Sequence, residues 1–160
     1  MQKQQAEALA HQFDAVNREV MTWVENCSAA GWQQTCPNDG RAAGIVAHHI
    51  AASHGVLTHF VTLIAQGQPL PELTVAALDH ANAHHAEQFA NVAQAEVLEL
   101  LRTSGAATVA TVRQLTDEQL VHSAYLSLFG TTMSAQQVIE HILIGHARSH
   151  LANLQAITSK

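Results

Sequence analysis

The sequence predicts an all-α protein: a four-helix bundle with a long connection between the second and third helices. Three observations predict it. Ala, Val, Leu and Ile dominate a composition that is 48% hydrophobic but only 4% aromatic, with three prolines in 160 residues. Four long stretches repeat apolar residues at the three- and four-residue spacing of a helix buried on one face. Segments rich in Gly, Pro, Asn or Asp punctuate them. A chain of this length suits one core, so residues 1–160 are read as a single domain.

The first helix is expected from about Gln4 to Ala29. Leu9, Phe13, Val16, Val20, Trp23, Val24 and Cys27 form its apolar stripe, and His11 lies opposite. The turn-rich segment CPNDGR follows, with Cys36 expected at the surface. The second helix, about Ala42 to Gln66, carries the stripe Ile45, Val46, Ile50, Val56, Leu57, Phe60 and Ile64. Gly67-Gln68-Pro69 ends it. Thr74 to about Glu87 reads as an exposed connecting helix rich in histidine. The third long helix, about Ala93 to Leu115, uses Val97, Leu98, Leu101, Val109, Val112 and Leu115. Gly105 sits in its middle, where it costs stability and permits close packing. Thr116 with Gln119 and Ser134 with Gln137 are capping boxes, and the segment between them reads as an irregular or hairpin-like connection. The fourth helix includes Ile139 to Leu154.

The formal net charge of −6, with no basic stripe, gives no support for nucleic-acid binding. No apolar run is long enough for a membrane span. The polar N-terminus does not read as a signal peptide, so a cytoplasmic protein is expected. A charged fraction of 12% is low and points to surface buried in an oligomer. Two cysteines make no disulfide framework.

Twelve histidines against seven Lys plus Arg is unusual. At about 100° per residue, His146 and His150 fall inside the apolar stripe of the fourth helix, one turn apart, while His141 falls opposite. In the second helix His49 and Ser53 fall inside the stripe, and His48, His54 and His59 fall outside it. A buried imidazole needs its ring nitrogens satisfied, by backbone, by water or by a metal. Two ligands from one helix and one from another define three corners of a tetrahedron, with the fourth open to water or substrate. His49, His146 and His150 are therefore the candidate ligands of a divalent metal, with Ser53 as a candidate supporting group. His80, His84 and His85 are read as mainly exposed, and Glu140 as facing water.

His49 in AHHIAASH, followed in order by His146 and His150 in GHARSHLANL, resembles the DinB/YfiT-like superfamily of metal-dependent enzymes. The segment LTDEQL is similar to the region before the last helix of that family. The likeness extends over nearly the whole chain, and its motifs are specific only jointly. No tryptophan stands just ahead of the second helix, where relatives often carry one. The resemblance implies a bundle of unusual connectivity, often dimeric, holding zinc or nickel on three histidines. It implies hydrolase or thiol-transferase chemistry on a small molecule, the second substrate being a low-molecular-weight thiol. Two other readings stand beside it: a non-catalytic metal- or ligand-binding stress-response module, and a bundle whose inward histidines hold no metal.

Overall fold

The computed structural model describes residues 3–157; residues 1–2 and 158–160, the ends of the domain proposed above, lie outside them. Helix α1 (Gln4–Asn26) is followed by the short α2 (Ala29–Gln33), then by α3 (Ala43–Ala65), α4 (Val75–Gln88) and α5 (Gln94–Gln114). Next come α6 (Asp117–Val121), a hairpin of β1 (Ser123–Leu126) and β2 (Thr131–Ser134), and α7 (Ala135–Gln137). A π-helical segment (Val138–Ile144) then joins α7 to α8 (Gly145–Gln155). The bundle consists of α1, α3, α5 and the α7–π–α8 rod. The connection from α3 to α5 contains α4, as the long second-to-third link requires.

The core follows from the stripes. Leu9, Phe13, Val20, Val46, Ile50, Ile64, Leu101, Val112, Ile139, Leu143 and Leu154 are fully buried. Each such side chain contributes about 1.5–3 kcal/mol by leaving water. The tightest approach is between α1 and α5. A Cβ on Gly105 would stand 2.1 Å from Asn17 Nδ2, so any larger residue there would have to displace the Asn17 side chain. That space lets Asn17 donate to the Leu101 carbonyl at 3.1 Å.

Helix starts match their side-chain chemistry. Thr116 and Ser134 form the two expected capping boxes with Gln119 and Gln137. Ser28 and Thr74 cap α2 and α4 by accepting the Gly31 and Ala77 amides. The connection between the boxes is a true antiparallel hairpin, Ser123 opposite Ser134.

Several expectations change. The first helix stops at Asn26, because Ser28 caps a new turn instead of continuing the old one. Cys36 is fully buried, not exposed. Its amide donates to the Arg41 carbonyl at 2.8 Å, and Gly40, at φ 85°, reverses the chain between them. Val56, assigned to a core stripe, is 55% exposed. His48 and His54, assigned outside it, are buried. Helix α3 packs against α1 through Phe13–His54 and against α5 through His54–Ser104, so more than one of its faces is covered.

Candidate metal centre

Helix α3 contributes His49, and α8 contributes His146 and His150 one turn apart. One ligand atom of each ring lies within 4.8 Å of the other two. His49 Nε2 and His146 Nε2 are 3.0 Å apart. Two nitrogens bound to one tetrahedral zinc at about 2.0–2.1 Å stand about 3.3 Å from each other, so this spacing fits an ion with little adjustment. His146 Nδ1 is buried and has no partner, so the engaged nitrogen of this ring is Nε2, which faces His49.

The imidazoles sit where their charged forms are disfavoured. Burial, then repulsion by His146 and by His150, pushes His49 down to about 3. Burial first and His150 second push His146 down to about 3. His150 is lowered too, chiefly by burial and Arg41, with Asp39 opposing. Neutral imidazole is the form that binds a metal.

Asp39 is the residue that sequence reasoning missed. Its side chain is 6% exposed. Arg41 grips it with Nε at 2.5 Å from Oδ1 and Nη2 at 2.8 Å from Oδ2. That hydrogen bond, more than any other cause, holds the carboxyl below its ordinary value. His150 Nδ1 approaches Asp39 Oδ2 to 3.4 Å without a formed hydrogen bond, and the other ring nitrogen is the one left free for a metal. Ser53, considered for a supporting role, lines the cavity with the three histidines, and Asp39 stands as a second candidate. The signal was the CPNDGR turn: a buried Cys36 and a left-handed Gly40 fold Asp39 and Arg41 back onto α8.

The three histidines open into a cavity of about 590 Å³. Its walls include Leu57, Phe60, Leu70, Leu126 and Ile142. Val56, Leu78 and Phe129, all substantially exposed, form part of its rim. The roof is α4, of which no residue is buried. His85, expected to be mainly exposed, hangs from this roof into the cavity, and its Nε2 lies 2.8 Å from His48 Nδ1. Phe89 stacks on His48 at 3.6 Å. At the other end of the roof, Ser127 Oγ accepts from the Leu73 amide and donates to its carbonyl. His80, His84, His59 and His141 are exposed, and Glu140 is half-buried and accepts from Gln136.

A family model described as the DinB superfamily matches residues 12–154. The chain belongs to the DinB superfamily. Among solved structures, this DinB chain is similar to YfiT from Bacillus subtilis, described as a probable metal-dependent hydrolase with an unusual four-helix bundle topology. The TM-score is 0.79 at 18% identity, over 98% of this chain and 87% of that one. It is also similar to a mycothiol-dependent maleylpyruvate isomerase, with a TM-score of 0.73 at 14% identity, over 99% of this chain but 63% of that one. At these identities the likeness shows the fold. No curated protein sequence matches the chain. No helix among the described residues is long and apolar enough to cross a membrane.

Proposed function

We propose that this DinB-superfamily chain is a metal-dependent enzyme acting on a small molecule, with zinc or nickel on His49, His146 and His150. Hydrolysis and the transfer of a low-molecular-weight thiol are the two reactions this site suits. One observation carries the reading: three neutral imidazoles converge at a largely apolar cavity of small-molecule size. The family membership and the two structural neighbours support it.

A divalent ion bound there would lower the pKa of water or a thiol and polarise a carbonyl. The rest is the work of this chain. His150 is oriented by Asp39, and Arg41 fixes Asp39. The apolar walls exclude water, which strengthens every charge interaction inside. Among the described residues no Asp or Glu lines the cavity.

The test is elemental analysis of protein purified without a metal-affinity column, across single alanine variants. One zinc or nickel per chain is expected in the wild type, and strong loss on replacing His49, His146 or His150. His59→Ala and His141→Ala should keep the ion. Loss with His141→Ala and retention with His146→Ala would refute the assignment. A screen of thiols and electrophiles with the loaded protein then separates transfer from hydrolysis.

A further inference from the structure

Arg41 does more than hold Asp39. Its Nε and Nη2 are committed to that carboxylate, but Nη1 is buried and has no partner. An unpaired guanidinium nitrogen away from water is costly unless something accepts from it. Among the described residues lining the cavity, Arg41 is the only Lys or Arg, and none is a carboxylate. It lines the cavity together with His49, His85, His146 and His150.

Charge counting gives the missing partner its sign. With a divalent ion in place, Asp39 offsets one of three positive charges, and two remain at the base of a largely apolar chamber. A neutral ligand leaves both uncompensated; an anion does not. A single free nitrogen suits a monoanion, since a phosphate dianion gathers several donors. The walls beyond Arg41, among them Leu57, Phe60 and Ile142, suit an aliphatic or aromatic body.

We propose that the cavity takes an apolar monocarboxylic acid, its carboxylate anchored by Arg41 Nη1 beside the three histidines. The charge argument rests on the metal reading given above; the unpaired nitrogen does not. The ligand is thus amphipathic, with its anionic end at the base and its apolar end toward the rim.

The experiment is calorimetric titration with the straight-chain acids from butanoic to octanoic and their primary amides. It is run on zinc-loaded and metal-free protein, wild type and Arg41→Gln. The wild type should favour acid over amide by about tenfold or more, the worth of one charge-assisted hydrogen bond. Arg41→Gln should lose about that factor in both forms. Because Arg41→Gln also frees Asp39, nitrogen-15 spectra of the wild type give a second reading: the Arg41 side-chain signals should move with the acid and not with the amide. Equal binding of acid and amide overturns the proposal, as do no binding of any acid, unchanged preference in Arg41→Gln, and unmoved Arg41 signals. Lack of one-to-one zinc would sink the metal reading alone. An Arg41-dependent acid preference in metal-free protein would survive it.

Discussion

At the scale of the residue, Asp39 and His54 show what helical angles hide. Asp39→Asn keeps the shape but removes the charge that orients His150 and balances Arg41. It should weaken metal affinity about 10- to 100-fold, the usual effect of losing such a partner, as measured by competition with a chromophoric chelator. Unchanged affinity would show that the 3.4 Å approach does no orienting. His54 is 1% exposed; its Nδ1 faces Ser104 Oγ at 3.2 Å and its Nε2 has no partner. Burial pushes it down to about 4. An unfolded histidine titrates near 6.5, so between those values the unfolded chain holds the extra proton, and stability falls as pH falls. His54 should account for up to about 3 kcal/mol of that loss between pH 6.5 and 4. Urea unfolding of metal-free protein checks it: His54→Phe should flatten the acid slope by about one proton. An unaltered slope would exclude His54 as the source. The sequence could not rank these histidines because the stripe of α3 is only one of its covered faces. His49 lay inside that stripe and turned out half-buried at the cavity; His48 and His54 lay outside and are buried.

Elements were more legible. Both capping boxes stand where Thr116-Gln119 and Ser134-Gln137 place them, since that chemistry is local. The four stripes gave the bundle because burial imposes the helical period. The π-helical segment was not legible: Val138–Ile144 has no Pro or Gly, and only tertiary packing separates one helical period from another. It ends at Ile144, two residues before the candidate ligand His146, a position typical of π turns near functional sites. The burial of Cys36 was hidden for a similar reason. Its thiol, pushed up to about 11 by burial and then by Asp39, stays protonated and unreactive near neutral pH. Helix α4 buries no side chain, and its attachments include the His48–His85–Phe89 stack and Ser127–Leu73. Its amides should exchange with solvent far faster than those of α1 or α5. Ser127→Ala should speed them further and leave α1 unaffected. Hydrogen-exchange mass spectrometry resolving α4 from α1 decides; equal protection of the two would refute a loosely held roof.

For the whole molecule, the low charged fraction and the family resemblance together motivate a homodimer. Light scattering at micromolar concentration should give twice the chain mass; a pure monomer would remove that expectation. Exposed Val121 and Tyr125, on α6 and the hairpin, are apolar surface that a second copy would shield. The bundle also divides its labour unevenly. His49, His146 and His150 ride on α3 and α8, which belong to the packed core, whereas the cover of the cavity is α4. Lifting α4 moves none of the three. Ion loss and ligand exchange would therefore run on separate clocks. The first waits for rare motions of the core, the second for frequent motions of the cover. Such a molecule admits and releases many ligands over the residence time of a single ion. Added viscosogen would slow the passage of ligands and leave the dissociation of the ion untouched.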